Sequence, residues 1–152
     1  YCKSFGARTL VCDPFEGDAV RAAGYEQVNI HALFEQSDVV SVHVHAEKEN
    51  IGLIDSRLLQ CVRTPFILVN TSRGEIVDEP SIIQFAHSHP NFYYAADVIK
   101  DEHLGLSDNL LRKSELYGRQ IVLTPHCGGM THDARAIAYT HAAELLLEYY
   151  RS

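Results

Sequence analysis

Five short apolar runs, separated by segments that start and stop like helices, constrain this chain more than any other feature of its sequence. The candidate strands are Thr9–Asp13, Asp38–Val44, Phe66–Asn70, Phe92–Val98 and Ile121–Thr124. They are rich in Val, Ile, Leu, Tyr and Phe, and several are apolar without alternation, the pattern of strands buried on both faces. Between them lie candidate helices over Glu16–Ala23, ended by Gly24, then Ile30–Gln36, Ser56–Val62 and Leu110–Tyr117. Another opens at Asp78 or Glu79 and runs through His87, with Pro80 tolerated in its first turn. A long helix, about Thr131–Tyr150, comes last, and Tyr1–Phe5 before Gly6 reads as the tail of a further helix. Strands joined through helices need right-handed crossovers and give a parallel sheet. The predicted fold is a doubly wound α/β domain.

Composition narrows the functions open to such a domain. The 152 residues carry 13 Lys+Arg against 20 Asp+Glu, a net charge of −7. That balance argues against non-specific nucleic-acid binding, which needs cations to neutralise phosphates. Apolar runs such as Phe66-Ile67-Leu68-Val69 fall far short of the ~20 residues of a membrane span, and no secretory signal opens the chain. Cys2, Cys12, Cys61 and Cys127 form no Cys-x-x-Cys pair. A reduced, cytoplasmic setting is therefore expected rather than a disulfide framework. The one Met is Met130, so the chain does not open on an initiator, and further sequence before Tyr1 is expected.

In open parallel sheets, ligands sit beyond the carboxyl ends of the strands. Asp13 stands at the first such end and His43-Val44-His45 at the second. Asn70-Thr71-Ser72-Arg73-Gly74 follows the third, Asp97 the fourth, and Thr124-Pro125-His126-Cys127-Gly128-Gly129 the fifth. Many of the polar residues with chemical potential thus gather on one edge.

Each admits two readings. Asp13 can accept both ribose hydroxyls of an adenosine and repel a 2′-phosphate, which favours NAD over NADP; otherwise it is a turn-forming Asp before Pro14. Arg73 can hold a carboxylate by two parallel hydrogen bonds, or be a surface Arg in a turn. Gly74 permits close backbone approach or positive φ. His126, with a side-chain pKa near neutrality, is a natural proton donor, or a loop His capping the last helix. Glu102, with Asp101 beside it, can hold one His126 ring nitrogen. Reducing a 2-oxo acid requires a hydride donor, a carboxylate clamp and an acid for the developing alkoxide. Arg73 would clamp, His126 would protonate and Glu102 would tune His126. Asp97 would accept from the nicotinamide carboxamide.

Three ordered signatures also carry a family resemblance: Asn70-Thr71-Ser72-Arg73-Gly74-Glu75-Ile76-Val77-Asp78-Glu79, Ala95-Ala96-Asp97-Val98, and Thr124-Pro125-His126-Cys127-Gly128-Gly129. Together they closely resemble the D-isomer-specific 2-hydroxyacid dehydrogenase family. Ser41-Val42-His43-Val44, closing with Gly52-Leu53-Ile54, is similar to its adenine-side strand and loop. The resemblance spans essentially the whole chain. It implies an NAD-linked oxidoreductase interconverting D-2-hydroxy and 2-oxo acids, with Arg73, Glu102 and His126 as the catalytic set. It implies cofactor contacts from Asp13, His43, Val44, Asn50, Thr71, Ser72, Arg73, Asp97, His126, Gly128 and Gly129. It also implies a homodimer in the cytoplasm.

There are departures. The family's Gly-x-Gly-x-x-Gly phosphate loop does not occur in the chain, nor does its substrate domain. Residues 1–152 are therefore expected to be most of a nucleotide-binding domain, cut within its first helix, that alone binds NAD weakly or not at all. Glu102-His103 replaces the usual Glu-Pro, and the segment from Glu102 to His126 is long, which leaves Asp101 and Glu115 as alternative partners for His126. His45 stands where Pro is common. His43, His45, His87, His89 and Cys127 give no spacing for zinc, so no metal is expected. Cys127 reads as a loop residue rather than a nucleophile. Ala142, Leu145, Leu146 and Tyr149 read as a core or dimer face. The rival reading is an NAD-sensing, corepressor-like relative that binds protein partners and turns nothing over.

Overall fold

The computed structural model describes residues Tyr1–Arg151. In chain order it runs β1 (Leu10–Val11), α1 (Gly17–Ala22), β2 (Glu26–Gln27), α2 (Ile30–Gln36), β3 (Val39–Val42), α3 (Ser56–Leu59) and β4 (Phe66–Asn70). It continues through α4 (Glu79–Ser88), β5 (Phe92–Ala96), α5 (Leu110–Lys113), β6 (Ile121–Leu123) and α6 (His132–Arg151). Every strand pairing is parallel. Strands β3-β4-β5-β6 form one sheet in sequence order, and β1-β2 form a second, two-stranded one. This is the Rossmann-like α/β arrangement expected.

Local chemistry sets the helix starts. Asn29, Asp55, Asp78 and Asn109 each turn a side-chain oxygen onto a backbone N–H one turn ahead, capping α2, α3, α4 and α5. Pro80 sits in the first turn of α4, where its missing N–H costs nothing.

The core lies on one face of the larger sheet. Phe34 of α2, Leu58 and Leu59 of α3, Ile82 and Ala86 of α4, and Leu111 of α5 pack on Val40, Val42, Phe66, Leu68, Phe92, Tyr94, Ala96 and Ile121. Phe66 stacks on Phe92 at 6.2 Å, and Phe85 meets Phe92 edge-on at 5.1 Å. The opposite face differs from the two-sided burial expected. Val39, Ile67, Tyr93 and Val122 point there and are exposed, because the covering helices of the described residues sit on the other side.

Three further expectations are corrected. Cys2–Phe5 is a single 3-10 turn closed by Gly6 at φ 77°, not an α-helical tail. β2 appears where no strand is expected. Its Glu26 and Gln27 pair with Leu10 and Val11 through the backbone, while Arg8 braces Glu26 at 2.8 Å and the Gln27 amide donates to the Asp13 carbonyl at 2.7 Å. None of the residues of α6 is buried, so its apolar stripe is not part of this chain's core.

Candidate active site

β5 ends at Ala96, which delivers Asp97 to the sheet edge, and Asp97 N–H donates to the Asn70 carbonyl at the end of β4. Asp97 in turn shapes the loop after β6. Its Oδ1 accepts from the Thr124 hydroxyl and from Cys127 N–H at 3.0 Å, and its Oδ2 accepts from Gly128 N–H at 2.8 Å. Partial burial pushes this carboxyl up, but the hydrogen bonds from Thr124, Gly128 and Cys127 outweigh it and hold the group below the usual carboxylate range. A Cβ on Gly128 would lie 3.0 Å from Asp97 Oδ2, so any larger residue there would crowd the carboxylate.

That loop places His126, whose backbone is left-handed at φ 49°. Its Nδ1 is 2.7 Å from Glu102 Oε2. An ionised carboxylate only accepts, so Nδ1 carries the proton and Nε2 is left for another partner. The other Glu102 oxygen accepts from Ile99 N–H at 2.9 Å, so the carboxylate is fixed at both ends. The two side chains are 49% and 34% exposed, and they share an open cavity of about 150 Å³ with Asp97, Ile99, Thr124 and Pro125. Of the alternative partners, Glu115 lies 2.9 Å from His87, and Asp101 stands at φ 55° as the N-cap of the 3-10 turn carrying Glu102.

Arg73 is brought to the same edge but not into that cavity. Its guanidinium donates to the Ser72 carbonyl at 2.7 Å and is exposed. The turn beneath it is tight. Buried Asn70 donates to the Arg73 carbonyl at 2.9 Å and accepts from Ser72 N–H at 3.0 Å, and the Ser72 hydroxyl donates to the Val44 carbonyl. Gly74 serves close approach rather than positive φ. A Cβ there would come within 1.9 to 2.2 Å of the Ile99 and Lys100 backbone.

On the adenine side, Asp13 Oδ1 accepts from Phe15 and Glu16 N–H at 2.9 and 3.0 Å, which holds its carboxyl below the usual range. The turn role is therefore real, and Oδ2 remains for a ribose hydroxyl, so the residue fits an adenosine. The His43 ring lies 2.9 Å from the Ser41 hydroxyl, and the Asn50 amide donates to the His45 carbonyl at 3.0 Å, shaping the loop between them. Thr71 and Gly129 are exposed on the same edge. Among the described residues, no three His, Cys, Asp or Glu converge as metal ligands, and no helix is long and apolar enough to cross a membrane.

Comparison with known proteins settles the family. The model of the NAD binding domain of D-isomer specific 2-hydroxyacid dehydrogenases matches residues 1–128. The chain belongs to this dehydrogenase family. The glyoxylate reductase of Korarchaeum cryptofilum is 31% identical over 98% of this chain and 44% of its own length. An apo D-lactate dehydrogenase from Escherichia coli superposes with a TM-score of 0.72 at 29% identity, over 87% of this chain and 40% of that one. A D-lactate dehydrogenase from Aquifex aeolicus, complexed with NAD and lactic acid, gives a TM-score of 0.80 at 24% identity, which supports the fold. The chain thus spans less than half the length of these relatives. NAD is the cofactor of a 2-hydroxyacid dehydrogenase domain of this kind.

Sequence reasoning missed two residues beneath the site. Glu79 and Asn109, both buried, bond each other and the backbone at Lys100. Asp78-Glu79 was legible as a helix start and as the end of one family-like signature, not as a buried carboxylate. Nothing local signals a partner 30 residues away.

Proposed function

We propose that this dehydrogenase chain supplies the nucleotide-binding part of an NAD-dependent enzyme that interconverts a D-2-hydroxy acid and its 2-oxo acid. The observation that carries the reading is the 2.7 Å contact between Glu102 and His126, opening on a cavity at the carboxyl edge of the sheet. With Nδ1–H held by Glu102, Nε2 gives its proton to the substrate carbonyl oxygen during reduction and takes it back during oxidation. The Glu102 carboxylate stabilises the imidazolium and keeps the ring oriented. Arg73, which has no carboxylate partner among the described residues, clamps the carboxylate of the acid. Asp13 takes the ribose hydroxyls, while Asp97 holds the loop Thr124–Gly129 in place. His43, Val44, Asn50, Thr71, Ser72, Gly128 and Gly129 line the remaining cofactor edge. The cofactor supplies the hydride when bound. A homodimer in the cytoplasm accompanies this reading.

The test is NADH oxidation by the whole protein with glyoxylate, hydroxypyruvate, pyruvate and longer 2-oxo acids, and NAD+ reduction with 3-phosphoglycerate. Turnover on one of these, with KM for the acid raised in Arg73→Ala, is the expected outcome. Tight NADH binding without turnover on any acid would contradict it and point to the NAD-sensing alternative.

A further inference from the structure

The loop that presents Glu102 is clamped from below. On one side Gly74 packs against the backbone of Ile99 and Lys100, with no room for a Cβ. On the other, Glu79 of α4 reaches up, only 4% exposed. Its Oε1 accepts from Lys100 N–H at 2.8 Å, and its two oxygens accept from the Asn109 amide at 3.0 and 2.9 Å. Asn109 cannot turn over to offer its oxygen instead. That oxygen caps α5, accepting from Leu111 and Arg112 N–H, and its amide nitrogen also lies 3.4 Å from the Lys100 carbonyl. Burial pushes the Glu79 carboxyl up, and Asp101 adds to that; the Lys100 amide, Asn109 and the Lys100 charge work against it.

A carboxylate removed from water persists only where its hydrogen bonds are complete. Here its partners, Lys100 N–H and the Asn109 amide, meet at the loop before Glu102. They fix the backbone two residues before Glu102, at the point where Ile99 N–H grips Glu102 Oε1. From there one step leads to His126, through Glu102 Oε2.

We propose that Glu79, with Asn109, is a positioning residue that holds the loop 99–102 so that Glu102 stays in contact with His126. This rests on the reading of Glu102 and His126 as the proton-handling pair. Glu79 touches neither substrate nor cofactor and acts through the Lys100 amide.

The test uses the whole protein and three variants. Glu79→Gln keeps the size of the side chain but sets an amide NH₂ against the Asn109 NH₂. Asn109→Asp sets two carboxylates face to face. The double variant Glu79→Gln/Asn109→Asp restores a donor opposite an acceptor and keeps the α5 cap. Amide hydrogen exchange and NMR shifts of Lys100 and Ile99 report the two ends of the clamp, and kcat and KM report the chemistry. The expected result is faster exchange at both amides in each single variant. With it comes a fall in kcat of up to about 100-fold without a matching rise in the KM for NADH, and recovery of both in the double variant. A change at Lys100 alone, with Ile99 and kcat unmoved, would overturn the inference and leave Glu79 a structural residue. So would a double variant that folds without recovering. Should Glu79→Gln fail to fold, that recovery decides the matter. Should the unaltered protein show no turnover, the dehydrogenase reading fails, and Ile99 exchange still tests the clamp.

Discussion

Every buried hydrophobic side chain among the described residues lies between Phe34 and Ile121, whereas residues 1–33 and 122–151 bury none. The central stretch has a four-stranded sheet, three capped helices on one face and a cluster of phenylalanines. The flanks have two-residue strands, exposed aromatics at Tyr1, Phe5 and Phe15, and a 20-residue helix with no buried position. The proposed site straddles this boundary. Arg73, Asp97 and Glu102 stand on the packed side, Asp13 and His126 on the other. The proposed proton handling therefore relies on the packed half reaching across, by Asp97 and Glu102, to organise a loop that has no core of its own. The proposed adenosine contact rests on Asp13, which is held by a turn rather than by packing.

The contrast can be broken by mutation. Phe92→Ala removes a fully buried ring that touches both Phe66 and Phe85, and should cost about 3–5 kcal/mol in urea denaturation. A loss below 1 kcal/mol, on the order of an exposed-site change, would mean that the central stretch is not the stable half. A smaller effect comes from Asp97, the tie across the boundary. Its folded carboxyl is held below the ordinary value of about 3.9. The stability it contributes is therefore complete above that value and is lost as pH falls through the depressed one. Melts taken from neutral pH down through about pH 4 should fall more steeply for the unaltered protein than for Asp97→Asn. The difference is modest, because the carboxylate is partly solvated. Parallel curves would remove the tie. The smallest effect is expected in α6, where Leu146 is 60% exposed. Leu146→Ala should change stability by no more than about 0.5 kcal/mol, and a core-sized loss would show that the helix is packed in solution.

The same boundary explains what could be read from sequence. The strands of the central stretch announce themselves through Val, Ile, Leu and Phe, and the polar residues after each fall where the parallel topology puts them. The Glu102–His126 contact was legible too, because an acid after β5 and a His after β6 must share one edge. Three things were not legible. β2 consists of Glu26 and Gln27, whose residue types carry no strand character. The exposure of Val39, Ile67, Tyr93 and Val122 depends on which side the helices lie, and apolar runs do not encode that. Glu79 and Asn109 meet only after the chain has folded, so a buried carboxylate looked like the first residue of a helix.

The central claim is that Glu102 and His126 act as one proton-handling unit. The most direct test compares kcat for NADH-dependent reduction of the best 2-oxo acid in the unaltered protein, Glu102→Gln, His126→Asn and the double variant. Loss of the acid should cost about 100-fold or more. Because Glu102 works through His126, the double variant should be little worse than His126→Asn alone. Losses that multiply, or a His126→Asn protein that turns over at the unaltered rate, would contradict the account.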